Sequence, residues 1–405
     1  MRSGRVSVFI VFVLNGVIAG SWAPRMPAIA EQIGASPGAL GLSLLGANLG
    51  LAMAATVAGR LCARWGAPAI VFVSALLAAC VLPVLAAVGS PLQLGLVLVL
   101  LGASFGLFDV SMNVAAVTVV RRVKRPMMPL FHAGFSFGAL ASSLGAAFAS
   151  GRGVDLFPYF ATVAAASLAV TAGVIRYVPR EQPTADTDGR GGQGGLGRGM
   201  LRRPVLWLLG GVAFLAAIVE GSNYDWAALF AVRERGMSEA GGAAMFSVFC
   251  LSMAMVRLFG ERIQRRFGAV RILAAGSMIT GVGLLTTASV PDAWFTPLGY
   301  VLAGTGVALV FPVVLDLAGE VGRRGDGTGG EREIGFVTGI AYTGFLLGPP
   351  MIGGVAQWTT LSLAIGFVGM VAMLIVPVVL AANAARRREE QAVHDVPSTT
   401  EPSSR

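Results

Sequence analysis

The stretch "LLGASFGLFDVSMNVAAV", residues 100–117, is mostly apolar and holds one charged residue, Asp109. A carboxylate so far from polar sequence on either side cannot reach out to water as a long basic side chain can. In hydrocarbon such a charge costs at least about 2.5 kcal/mol, so it is expected to face a cavity or a partner. Desolvation makes a carboxyl hold its proton to higher pH, and small changes in water access or a nearby cation then load and unload it. Proton carriage is the chemistry this offers; a permanent hydrogen bond to a neighbouring segment is the structural alternative. Gly102, Gly106, Asp109 and Asn113 fall at helical offsets on one face of small and polar groups. That face should point into a bundle, with Asn113 a candidate substrate contact beside the acid.

A second group is "EGSNYDWAA", residues 220–228, in which Glu220 is another candidate proton-coupling acid. Asn223 and Tyr224, three and four residues on, share its side of a helix. An aromatic ring and an amide on one face suit a hydroxylated solute, the ring stacking on apolar sugar faces and the amide bonding hydroxyls. Asn15 is the strongly polar side chain deep in residues 6–23, either a solute or gate contact or an interhelical hydrogen bond. Asp316 and Glu320 stand at the end of a later apolar run, where charge is readily hydrated, and are read as gate or rim residues. An imidazole titrates near physiological pH, but His132 lies three residues after Pro129, where an interfacial hydrogen bond is the safer reading. Arg25, in "WAPRMPA", marks the end of the first run, with Glu31 as its expected partner.

The elements that must position these groups are apolar throughout. Of 405 residues, 55% are hydrophobic and only 13% charged, against roughly a quarter charged in soluble domains; mean hydropathy is +0.75. Runs of bilayer-spanning length, about 17 to 25 residues, recur at 6–23, 39–58, 67–88, 92–117, 127–149, 156–175, 205–232, 241–259, 270–290, 294–317, 334–355 and 361–382. Hydrocarbon cannot solvate peptide groups, so such runs must be helices. The expected fold is an all-α membrane protein of twelve transmembrane helices. The N-terminus has a basic start and an apolar stretch like a cleaved leader, but it reads better as the first span.

Positive charge is retained in short cytoplasmic loops. With the N-terminus inside, the outer side carries only Arg25, Arg152, Arg233 and Arg235 of the 30 Lys and Arg residues. The net charge of +9 therefore reports topology in a lipid bilayer, with both termini cytoplasmic, and not nucleic-acid binding. Nearly all-arginine basic usage with abundant Ala and Gly points to a bacterial cytoplasmic membrane.

The chain is doubled. Residues 180–203 are polar and glycine-rich, a cytoplasmic linker between bundles at 1–179 and 204–385, followed by a disordered tail at 386–405. "RLCARWG" at 60–66 matches "RIQRRFG" at 262–268, and "HAGFSFG" at 132–138 matches "YTGFLLG" at 342–348, the mark of a repeat. Glycine pairs four apart at 16/20, 46/50, 102/106, 134/138 and 344/348 allow helices to approach closely. Tight static packing accounts for most of them, though sliding helices need the same surfaces.

Two pseudo-symmetric six-helix bundles, a polar central linker and matching basic loops resemble the major facilitator superfamily over residues 5–385. "FDVSMNV", "FHAGFSFG", "EGSNYDWAA" and "GFLLGPPMIGG" are similar to its MosC-like branch, itself similar to the fucose and glucose/galactose proton-symporter group. The resemblance implies alternating access around a midplane site lined mainly by the first, fourth, seventh and tenth helices. It also implies that Asp109 followed by Asn113 is the coupling acid, with Asp in place of the more usual Glu. The family's basic loop carries an acid that pins the inner gate; here Ala63 and Arg265 stand at that position, while Arg64 and Arg266 match the family's gating arginines. Glu261 and Glu320 remain the alternatives for the gate partner.

The function expected is secondary active transport of a small polar solute (a sugar, polyol or inositol derivative), coupled to protons, by a monomer without cofactor or metal. Proton-driven efflux of cationic amphiphiles and a non-transporting sensor on the same fold are the alternatives. The single lysine, Lys124, excludes a GxxxxGK[ST] phosphate loop. Two histidines and short outer loops argue against a membrane-embedded enzyme.

Overall fold

The computed structural model describes residues 2–123, 127–180, 200, 202–322 and 330–394. Residues 181–199 and 201 of the expected linker, and 395–405 of the expected tail, lie outside the described residues. Among the described residues every regular element is helical. Twelve helical runs among the described residues are long and apolar enough to span a membrane. The first half holds span 1 (Ser3–Gln32), span 2 (Pro37–Trp65), span 3 (Ala67–Ala87), span 4 (Pro91–Val123), span 5 (Leu130–Gly151) and span 6 (Leu156–Tyr177). The second holds span 7 (Pro204–Arg233), span 8 (Glu239–Leu258), span 9 (Ala269–Ser289), span 10 (Ala293–Gly322), span 11 (Arg332–Trp358) and span 12 (Leu361–Glu389).

The halves repeat one packing scheme. Span 1 lies on span 5 and span 2 on span 4, as span 7 lies on span 11 and span 8 on span 10. Glycines set the close approaches: Gly16 and Gly20 lie against the backbone of Phe135 and Ala139, Gly50 against Val99, Gly102 against Ala47 and Gly344 against Phe214. A Cβ on Gly102 would collide with the Ala47 carbonyl oxygen, and the two helices would have to separate. Gly102→Val should therefore lower stability by about 1–3 kcal/mol, read as a depressed melting temperature in detergent. Gly173→Ala, with open space at its Cβ, should leave melting unchanged. The repeat extends to backbone angles. Gly66 and Gly268, closing the two matched basic loops, take φ of 84° and 75° with ψ of 147° and 157°, a region that in practice only glycine occupies.

Proline interrupts several spans. Pro24 and Pro27 divide span 1 into Arg2–Trp22, the turn Ala23–Arg25 and Met26–Gln32. Span 10 is broken between Val307 and Val310. There Pro312 has no N–H to offer the carbonyl of Ala308, its partner four residues back. The last helix runs on to His394, past the boundary at 385 expected from composition. Ion pairs hold that extension: Glu389 with Arg203 at 2.7 Å and Arg386 with Glu320 at 3.1 Å.

The first and last described residues, Arg2 and His394, lie at one end of the bundle, here the terminus end, and the halves meet towards the other, the far end. Span 2 packs on span 11 where Gly41 abuts Gly353, and Gly38 N donates to Gln357 Oε1 at 3.1 Å. Deeper in, Asn48 Nδ2 donates to Phe345 O at 3.0 Å. That carbonyl is the one Pro349 leaves without a helical donor. Span 5 meets span 8 where Ser247 Oγ donates to Ser143 Oγ at 2.8 Å.

Arg25 is 3% exposed and joins both halves. It donates to Val154 O at 2.9 Å and to Ser150 Oγ, lies 5.5 Å from the Tyr159 ring centroid and pairs with Glu239 at 3.5 Å. This corrects the expected pairing with Glu31: the proline-bent end of span 1 turns the arginine inward, towards the start of span 8. Arg25→Gln should weaken far-end closure by about 1–2 kcal/mol, since Glu239 is itself partly hydrated. A cysteine at position 240 would then be labelled roughly tenfold faster.

Candidate functional site

Asp109 lies past the middle of span 4, its side chain exposed yet within electrostatic range of Tyr342 in the other half. That combination marks a group lining a cleft, not one facing lipid. Its neighbour one helical turn on, Asn113, donates Nδ2 to the Asp109 carbonyl oxygen at 2.8 Å and to Oδ1 at 3.3 Å. Across the cleft, the neutral phenol of Tyr342 on span 11 lies within range of the Asp109 charge. The glycine face predicted for span 4 does point into the bundle, with Gly106 against Leu51 of span 2.

Glu220 is 9% exposed and accepts a hydrogen bond from Arg257 Nη2 at 2.9 Å. Arg257, on span 8, also donates Nε to the Ala308 carbonyl at 3.0 Å. One guanidinium thus neutralises the acid of span 7 and supplies the donor that Pro312 denies span 10. Its planar fork of fixed N–H groups can serve both, which a lysine's single ammonium could not do in this geometry. His132 sits in the cleft opposite, edge-on to Phe12 at 5.3 Å and within range of the Arg257 charge.

The expected contact residues divide. Asn113 stands beside Asp109 at the cleft. Asn15 is 2% exposed, with Nδ2 donating to Met112 Sδ at 3.4 Å, and its Oδ1 has no partner among the described residues. Asn223 is 1% exposed, donates Nδ2 to Val219 O at 2.7 Å and has Oδ1 likewise unpartnered. Buried orphan acceptors of this kind cost about 1–3 kcal/mol each, which a donor entering the bundle would recover. Tyr224 is turned towards span 8, its ring packed edge-on to Phe246 and Phe249 at 5.5 and 5.8 Å.

The sequence profile of the Major Facilitator Superfamily matches residues 8–341. The chain belongs to that superfamily. An uncharacterized MFS-type transporter of Yersinia pestis is 30% identical over 385 residues, 95% of this chain and 96% of its own. Membrane protein MosC of Rhizobium meliloti is 25% identical over 371 residues, 91% of this chain and 88% of its own, in line with the branch the motifs resemble. Among solved structures, the nucleoside transporter NupG superposes with a TM-score of 0.74 at 14% identity, covering 94% of this chain and 99% of its own. A bacterial homolog of the human lysosomal transporter Spinster, inward-facing and occupied, superposes at 0.66 with 15% identity, covering 98% of each. At such identity these two likenesses show the fold alone.

This major facilitator protein is a multi-pass membrane transporter of the secondary type and not an enzyme. The cross-half contacts Gly38–Gln357, Asn48–Phe345, Ser143–Ser247 and Arg25–Glu239 cluster towards the far end. At the terminus end the expected gating residues stand apart from one another. Arg64 and Arg266 are exposed, lying over the rings of their own neighbours Trp65 and Phe267 at 5.6 and 5.5 Å. Asp316 accepts from Gln264 at 3.3 Å, Glu320 pairs with Arg386, and Glu261 with Arg265 at 3.4 Å. These bonds all lie within the second half.

Sequence reasoning passed over Arg257, Asn48 and Glu239. The signal for Arg257 was present, a lone arginine within residues 241–259. For Asn48 it was a polar residue in one helix and a proline in a distant one, with nothing in the chain to link them.

Proposed function

We propose that the protein couples proton movement to the transport of a small, neutral, hydroxylated solute across the cytoplasmic membrane, with the arginine-rich terminus end facing the cytoplasm. The observation that carries this is Asp109: an acid in the cleft whose hydrogen-bond donor, Asn113, belongs to its own helix. Such an acid is free to exchange a proton with water or solute, whereas Glu220 is tied to Arg257. Glu220 is then coupled to the cycle through that pair: protonation would release Arg257. Arg257 brings a positive charge beside Glu220, and mixed charge with amides and a tyrosine suits a polyhydroxylated neutral solute better than a cationic amphiphile. Asn15 and Asn223 offer unpartnered acceptors to its hydroxyls. Arg64, Arg266, Asp316 and Glu320 are proposed to meet when the terminus end closes, as a monomer working by alternating access would require.

The test is solute-driven alkalinisation of the medium around proteoliposomes, screened over sugars, polyols, inositols and cationic amphiphiles. A neutral hydroxylated solute is expected to move protons. A response confined to cations would favour the efflux reading, and binding without movement would favour a sensor.

A further inference from the structure

Among the described residues, the terminus end of the first half concentrates positive charge without acids to balance it. Residues 2–180 contain three acidic residues, Glu31, Asp109 and Asp155, of which Asp109 lies in the cleft and the other two at the far end. The second half differs: several of its arginines at this end pair with carboxylates, as Arg203–Glu389, Arg386–Glu320 and Arg265–Glu261 do. In the first half Arg5 of span 1, Arg122 of span 4 and Arg176 of span 6 converge on one cavity of about 320 Å³. An adjoining hollow of about 580 Å³ shares Arg176 and Val178 with it and adds Arg180 above an apolar wall of Phe72, Ile175 and Pro68. No carboxylate lines either cavity among the described residues.

We propose that this double hollow binds an anionic membrane phospholipid, its phosphate held among Arg5, Arg122 and Arg176 and its acyl chain lying along Phe72 and Ile175. Loop arginines that merely obey the orientation rule would be spread around the rim, but these come from three helices to one concavity. Guanidinium forks match phosphate oxygens two at a time. The Arg122 fork is steadied by its hydrogen bond to Arg180 O at 3.0 Å, and Arg176 lies 4.7 Å over the Tyr177 ring. The apolar wall continues from the basic cavity along spans 3 and 6, where a free phosphate would gain nothing and an acyl chain would be covered. Basic pockets between spanning helices at this level are headgroup sites.

The full-length protein is reconstituted in nanodiscs of phosphatidylcholine mixed with phosphatidylglycerol, and the lipid retained on gentle extraction is counted by native mass spectrometry. Wild type is expected to retain phosphatidylglycerol selectively. The triple variant Arg5→Gln/Arg122→Gln/Arg176→Gln should lose that retention by at least about tenfold. A charge-matched control, Arg262→Gln/Arg265→Gln/Arg271→Gln, should keep it. Equal losses in both triples would mean diffuse surface charge, and equal retention of phosphatidylcholine would mean an unselective groove; either overturns the proposal. Displacement by millimolar inorganic phosphate with no preference among lipids would assign the site to a free anion and also overturn it. Should the triple variant melt early, the three single variants, each checked for wild-type melting, carry the same comparison.

Discussion

Asp109→Asn is expected to abolish accumulation driven by a proton gradient while leaving solute exchange intact. With one proton per solute, a gradient of one pH unit supports about a tenfold solute gradient, since RT ln 10 is about 1.4 kcal/mol. The amide cannot take up a proton, so the variant should equilibrate solute to equal concentrations and go no further. Its fold should survive. The Asn side-chain oxygen still accepts from Asn113, as Asp109 Oδ1 does at 3.3 Å. Among the described residues Asp109 has no ion pair to lose, and Arg257 pairs with Glu220. Asp109→Glu should retain coupling. Counterflow in proteoliposomes reads exchange and an imposed pH step reads accumulation; a variant that concentrates solute normally would refute the coupling role. Loss of insertion or early melting would instead mark the acid as structural.

Arg257→Met should be the most destabilising single change in the cleft, by about 3 kcal/mol. Removing one partner of a buried pair leaves an uncompensated charge, typically 3–5 kcal/mol, and the lower end applies because the Arg257 side chain is 34% accessible. The loss has two parts that can be separated. Glu220→Gln added to Arg257→Met should restore the share due to the stranded carboxylate. Pro312→Ala added to Arg257→Met should restore about 1 kcal/mol, because residue 312 regains an N–H for the Ala308 carbonyl. Melting temperatures of the purified variants give the cycle. If Pro312→Ala rescues nothing, the arginine is not acting as the missing helix donor.

Much of the architecture was legible because a bilayer leaves few choices. Runs long enough to cross it must be helical, so the twelve spans followed from hydropathy alone. The matched loops "RLCARWG" and "RIQRRFG" announced a doubled chain, and Gly66 and Gly268 at their ends share the same backbone angles. Glycine pairs such as 16/20 and 102/106 likewise foretold close crossings, since only a missing side chain lets two backbones meet. The end of the last helix was not legible in composition: helix continues to His394, and Glu389 finds Arg203.

Asp109 was conspicuous in the sequence because one charge in an apolar run is a local signal. Its partner Asn113 was legible too, one helical turn away. Pairings between helices were not. Arg25 reached Glu239, not nearby Glu31; Arg257 reached Glu220 and Ala308; Asn48 reached the carbonyl freed by Pro349. Each joins groups far apart along the chain, and which donor meets which acceptor depends on how helices cross and where proline removes an N–H. The sequence alone determined that this protein is a doubled membrane bundle with an acid in its middle, because hydration and helical periodicity act over a few turns. Tertiary structure decided which charges are paired and which remain available, because an ion pair depends on distances of a few ångströms between segments that the chain itself does not keep together.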